Sequence, residues 1–162
     1  MQINNEAREA LLAEVTGIPD ELLNKIPAEG EWSIAQILEH LYLMESAVAK
    51  TVSTQLQAGE ATDIPDKPIE LTVDRSTKVV APSFVTPGNG FTPFEDLKKE
   101  LAVSHSALMK VAREASESEL RAHSYTHPVF GEVNLKQWIP FVGYHEMRHT
   151  DQIRDVKRKL SL

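Results

Sequence analysis

The sequence predicts an all-α fold, an antiparallel four-helix bundle with a long crossover loop between the second and third helices. Two observations predict it: four long segments repeat apolar residues at the helical period, and strand-like alternation is nearly absent. A third is a proline-rich interval separating the segments into two pairs, which an antiparallel bundle accommodates as a crossover connection. At 162 residues the chain suits one domain, taken as 1–162.

The first helical segment lies near Asn4 to Lys25 and is broken by Gly17 and Pro19, with a turn at Pro27 to Gly30. The second begins sharply. Ser33 and Gln36 form a capping box, and Trp32 before the cap can pack on Ile37 as a hydrophobic staple. Ile34, Ile37, Leu38, Leu41, Met44, Val48 and Val52 then share one face, and the helix is expected to run to about Gln57, ahead of Gly59. From Gly59 to Pro93 the chain carries Pro65, Pro68, Pro82, Pro87 and Pro93. This interval reads as a long ordered loop with a short helix around Val73 to Val80, and long ordered loops often serve as functional lids.

The third helix is expected to open near Thr92, with Pro93 at its tolerated first position and an apolar face of Phe94, Leu97, Leu101, Leu108, Val111, Ala112 and Ala115. A loop is expected over Ser116 to Val133. The fourth helix is expected near Asn134, where N-x-x-Q again resembles a capping box, with Leu135, Trp138, Ile139, Val142, Ile153, Val156 and Leu160 on its face. Pro140 lies inside that pattern and predicts a kink or a later helix start.

Composition narrows the function. The hydrophobic fraction of 41% supports a packed core. There are no cysteines, so disulfides, thiolate ligands and a cysteine nucleophile are excluded within the chain. A net charge of −7 opposes nucleic-acid binding, which needs a basic surface. The basic cluster Arg154, Lys157, Arg158 and Lys159 reads as a helix C-terminus favoured by the dipole. No apolar run is long enough for a membrane span, and Met1 to Ala10 lacks the form of a signal peptide, so the expected location is the cytoplasm.

The chemistry concentrates in histidine. His145 and His149, four residues apart, share the apolar stripe of the fourth helix. Two stacked imidazoles in a core need a common reason for their desolvation, and a metal ion supplies one. The string from His145 to His149 also fits H-E-x-x-H, which would make Glu146 the general base of a metalloprotease. That reading needs a third ligand downstream, where only Asp151 and Asp155 remain, so the third ligand is sought upstream. His40, at the edge of the second helix's apolar face, is the best candidate. Three histidines leave a coordination position open for water or substrate, as catalytic rather than structural sites do. Imidazole ligands suit zinc, nickel or iron alike.

His105 falls on the third helix's apolar face and reads first as a satisfied core histidine, second as a proton shuttle beside Glu146. Glu45 and Gln152 are placed to receive the second N–H of a ligand histidine, and Glu45 alternatively to pair with a basic residue. His123 and His127 lie in the loop before the last helix, His127 as a residue of the pocket rim.

These residues carry a family resemblance. Trp32-Ser33 through His40-Leu41 and Glu45 resembles the W-S-x-x-x-x-x-x-H-L…E opening of DinB/YfiT-like proteins. His127-Pro128 through Gly131 and Trp138 to His145-Glu146-Met147-Arg148-His149 and Gln152-Ile153 resembles their ending, and Lys78 to Pro82 with Thr86-Pro87 fits between. The resemblance implies a four-helix bundle binding one divalent metal ion, zinc or nickel first, through His40, His145 and His149. It implies a metal-dependent hydrolase, or a thiol S-transferase using a low-molecular-weight thiol such as bacillithiol, mycothiol or glutathione. The alternative is a non-catalytic metal-binding stress-response bundle. The expected partner is a small-molecule substrate, with a homodimer also compatible, and neither nucleic acid nor membrane is expected.

Overall fold

The computed structural model describes residues 1–162. Four long helices carry the fold: α1 (Gln2–Val15), α3 (Ile34–Ala58), α4 (Phe94–Glu114) and α6 (Leu135–Leu160). Between them lie short α2 (Asp20–Leu23), short α5 (Glu117–Arg121) and a hairpin of β1 (Ser124–His127) and β2 (Gly131–Asn134). The break expected at Gly17 and Pro19 separates α1 from α2, and Gly17 takes φ +86, where a side chain would be strained. The Ser33–Gln36 capping box forms in both directions and starts α3. Trp32 packs on the core behind it, with its ring centroid 5.0 Å from that of His40.

The long crossover gives the bundle its topology. Along α1 and α6, Asn4 bonds to Ile139, Arg8 to Glu146 and Glu14 to Lys157, so these two helices run parallel. The two core clusters order α3 and α4 the same way, Ile34 to Leu41 with Leu97 and Leu101, then Val48 and Val52 with Leu108. Antiparallel contact therefore lies between the two parallel pairs, as in bundles built with long crossovers. Gly143 permits the close approach of α1 to α6, since a Cβ there would stand 3.3 Å from the backbone of Ile3 and Asn4.

Four local expectations are corrected. The crossover contains no helix over Val73 to Val80. Two 3-10 turns, Ile69–Val73 and Ser83–Val85, are present instead, and prolines at 68 and 82 precede them. The interval 116–133 is not plain loop: Ser116 caps α5 with a second full capping box, and the hairpin follows in the register Ser124↔Asn134 to His127↔Gly131. Its strands have four residues each, too short for alternation to register against noise. The last helix starts at its Asn134 cap and continues through Pro140, so the later start is not found. Only half of the second expected capping box forms, because the Gln137 amide turns outward to exchange two hydrogen bonds with the Lys67 backbone at 2.7 and 2.8 Å.

Arg148 pins the crossover further along α6, donating to the carbonyls of Thr72, Asp74 and Thr77. The basic C-terminal cluster is occupied by acids. Arg154 and Lys157 both pair with Glu14, and Lys159 pairs with Glu31.

A buried polar layer divides the apolar core into two clusters. Its centre is Arg8, which donates Nε and Nη2 to the two oxygens of Glu146 (2.8 and 2.9 Å), Nη2 again to Glu45 (2.8 Å), and Nη1 to the Leu101 carbonyl (2.5 Å). Ser104 donates to Glu45 at 2.5 Å, and His105 lies between Glu45 (3.0 Å) and Asn5 (2.9 Å). Burial alone would raise the Glu45 carboxyl, but His105, Arg8 and Ser104 outweigh it and hold its pKa below the usual carboxylate range. Glu146 goes the other way, raised by burial against the pull of Arg8.

Breaking a buried charged cluster by removing one partner costs more than losing an exposed ion pair. Arg8→Met is therefore expected to lower stability in urea unfolding at pH 7 by about 3–5 kcal/mol, the range for a stranded buried charge. Without the guanidinium the Glu146 carboxyl, already raised by burial, binds protons more readily folded than unfolded, and a raised folded pKa stabilises at low pH and loses that contribution as pH rises. The deficit of Arg8→Met should accordingly narrow between pH 7 and 5, and a deficit constant over that range would remove the carboxylates as its cause.

Candidate metal centre

His40 on α3 and His145 and His149 on α6 converge from facing helices, their ligand atoms within 4.8 Å of one another. His40 Nε2 lies 3.2 Å from His145 Nε2, which lies 3.1 Å from His149 Nε2. Nitrogens about 2.0 Å from one tetrahedral ion would stand roughly 3.3 Å apart, so these two separations suit a common centre.

The outer ring nitrogens decide the protonation. His40 Nδ1 lies 2.7 Å from the Val85 carbonyl and His149 Nδ1 2.7 Å from Gln152 Oε1. Both partners are acceptors, so each Nδ1 carries the hydrogen and each Nε2 presents a bare lone pair. His145 Nε2 stands between the two and has at most one hydrogen to give, so at least one of the close N···N contacts has no proton to share. A cation at the centre satisfies all three lone pairs, and the donor set fits a divalent ion on that ground.

Burial favours the state a ligand needs. It lowers the pKa of His40, brings His149 down to about 3 and holds His145 well below the ordinary histidine value. Neighbouring imidazoles and Arg148 add to the last two. His40 and His145 are buried and His149 half-buried, so the site meets solvent on the His149 side.

The other residues singled out in the sequence divide. Gln152 stands where a ligand's outer nitrogen is answered. Glu45 faces Arg8, Ser104 and His105 rather than a ligand histidine, which is the pairing with a basic residue. Glu146 turns from its neighbour His145 into the same cluster, where Arg8 occupies both oxygens, so it does not face the centre as a general base would. His105 belongs to that cluster too. His123 bonds the Glu119 carbonyl at 2.9 Å, away from the site. His127 packs between Phe130, Trp138 and Phe141, and Phe141 in turn lies 5.8 Å from His145 by ring centroids.

Sequence reasoning missed two contributors. The Val85 carbonyl orients His40 from a turn with no side-chain signature. Arg148 fastens the crossover that carries Val85, and its position between the two α6 histidines was the available signal.

A bundle of two parallel helix pairs with three convergent histidines defines a class of metal-binding helical proteins. The DinB superfamily model matches residues 4–153, and the chain belongs to that family. It is 35% identical over 160 residues to the uncharacterized protein YuaE of Bacillus subtilis (strain 168), covering 99% of this chain and 98% of that protein. Among solved structures it resembles TT2238, a four-helix bundle protein, with TM-score 0.66 and 19% identity over 95% of this chain and 94% of that one. It also resembles YfiT from Bacillus subtilis, described as a probable metal-dependent hydrolase with an unusual four-helix bundle topology. Here the TM-score is 0.67 and the identity 14%, over 99% of this chain and 85% of that one. At these identities the structural likeness shows the fold.

Protein purified without chelator is expected to carry one divalent ion per chain, and His40→Ala to lose most of it, because two imidazoles on one helix form a partial site. Glu146→Gln should keep its ion, since Arg8 rather than the centre receives that carboxylate. Elemental analysis of the three proteins checks both, and full occupancy in His40→Ala would remove that residue from the site. The pH dependence follows from the lowered histidine values. A depressed folded pKa gives stability that is present above the unfolded value of about 6.5 and lost as pH falls toward the folded value. Metal-free protein should melt at steadily lower temperature below about pH 6.5, and His149→Gln should flatten that slope.

Proposed function

We propose that this protein is a metal-dependent enzyme acting on a small molecule, with His40, His145 and His149 as its ligands and zinc or nickel as the ion. The ion, when bound, supplies a Lewis acid that makes water or a small thiol nucleophilic near neutral pH. The single observation that carries the reading is the set of Nε2 lone pairs held bare by the Val85 carbonyl and Gln152. Three protein ligands support catalysis over a purely structural role, because structural sites are usually closed by four.

The chain's own residues do the positioning. Val85 and Gln152 fix the imidazole planes, and Trp32 covers His40 from one side. Arg148 holds the crossover against α6 and so keeps the Val85 turn in place. With no cysteine in the chain, any thiol nucleophile enters as a cosubstrate. The fold of YfiT, described as a probable metal-dependent hydrolase, supports the hydrolytic branch of the same reading.

Metal-loaded protein should accelerate reaction of a low-molecular-weight thiol with a generic electrophile, or hydrolysis of a small activated ester or amide. Chelation should abolish the rate and readdition of the ion restore it. Chelated protein should stay helical by circular dichroism with a lower melting temperature, since the two apolar clusters do not depend on the ion. A chelated chain that unfolds, with no catalysis in the loaded form, would identify the ion as a structural element. Peptide hydrolysis lost in Glu146→Gln would restore the protease assignment.

A further inference from the structure

His127 lies one aromatic ring, that of Phe141, away from His145 and outside the ligand set. The hairpin fixes its chemistry. Its Nδ1 accepts two backbone hydrogen bonds from the turn it starts, from Val129 N–H at 3.0 Å and Phe130 N–H at 3.2 Å. A nitrogen that accepts two donors carries no hydrogen, so the ring's hydrogen resides on Nε2. Nε2 makes no hydrogen bond within the protein.

The ring is also held in place. Phe130, Trp138 and Phe141 surround it with centroids at 4.9, 5.3 and 4.8 Å. Trp138 is itself tied to the hairpin through its Nε1–H to the Tyr125 carbonyl at 3.2 Å. Phe141 spans from His127 to His145, with its ring centroid 4.8 Å from the first and 5.8 Å from the second. Burial among these rings lowers the His127 pKa to about 4, which agrees with a neutral ring at pH 7.

Four other polar side chains of the surrounding helices are already engaged: Glu146 and His105 with the Arg8 cluster, Arg148 with the crossover carbonyls, Gln152 with His149. We propose that His127 is a substrate-binding residue whose Nε2–H donates to a carbonyl or carboxylate oxygen of a molecule seated at the three-histidine centre. The assignment rests on the metal-dependent reading above and adds the chemistry of the substrate's second end. A neutral, preoriented N–H in a partly apolar wall recognises an oxygen carrying full or developing negative charge. A thiol sulfur is a weak acceptor, so the sulfur of a bifunctional ligand belongs at the ion and its oxygen at His127.

The test uses cobalt(II)-loaded protein, titrated with mercaptoacetate, 3-mercaptopropionate and ethanethiol and read by the visible cobalt bands. Wild type should bind at least one mercaptocarboxylate more tightly than ethanethiol. His127→Phe, which keeps an aromatic ring in the wall, should weaken that mercaptocarboxylate by about tenfold or more, the size of a lost hydrogen bond to a charged group. Ethanethiol binding should be unchanged. Equal losses for both ligands, or no loss for either, would overturn the assignment. A wild type that takes up no cobalt would overturn the metal reading and this inference together, whereas a normal cobalt spectrum without carboxylate preference overturns only the role of His127. Long-range proton–nitrogen NMR correlation on the metal-free wild type gives an independent readout: the Nε2–H tautomer is expected at neutral pH, and a proton on Nδ1 would overturn the argument.

Discussion

Polar groups set in the middle of a helix bundle must be answered where they stand, because water is scarce there. The waist of this protein meets that constraint twice, on the two sides of one helix. His145 turns toward His40 and His149, and the next residue, Glu146, turns toward Arg8 and Glu45. The guanidinium answers the carboxylates with hydrogen bonds in fixed directions, which sets α1, α3 and α6 against one another. That register brings His40 opposite His145. The histidine side lacks such an internal answer, since two of its inward nitrogens are bare and the third has at most one hydrogen to share. A divalent ion bound there would complete what the ion pair completes on the other side.

The crossover owes its course to the same helix. Gln137 and Arg148 hold it by main-chain carbonyls and one amide, over a segment with little regular structure of its own. Its reward is the Val85 carbonyl, delivered to His40 Nδ1 from outside the bundle. The long loop thus acts on the site through a single backbone atom, in a position set by the 3-10 turn at Ser83–Val85.

Much of this was legible in the sequence because helical periodicity and capping are local. The Ser33 box, the end of α3 near Gly59 and the apolar faces of α3, α4 and α6 could be read from residues within a few positions of each other. The histidine set was legible because i, i+4 spacing on an apolar stripe is itself a geometric statement. Glu45, Glu146 and His105 were harder. Their partners lie 37 to 138 residues away, and Arg8, in the first helix, offered no sign that it was buried. Glu146 shows the hazard in a short motif. H-E-x-x-H fixes two imidazoles on one face, but the rotation to the intervening glutamate also suits a salt bridge on the neighbouring face. The hairpin was lost for the opposite reason, because each strand is four residues long and its pairing is held by a tight turn and the Trp138 indole.

The central claim is that one divalent ion binds through the Nε2 atoms of His40, His145 and His149. Anomalous diffraction from crystals of the zinc- or nickel-loaded protein, recorded at the absorption edge of the ion, tests it most directly. The account predicts one strong peak per chain, about 2.0–2.1 Å from all three Nε2 atoms for zinc, with His40 Nδ1 still on the Val85 carbonyl. A peak coordinated through Nδ1, or a strongest peak elsewhere in a chain whose three imidazoles remain metal-free, would contradict it.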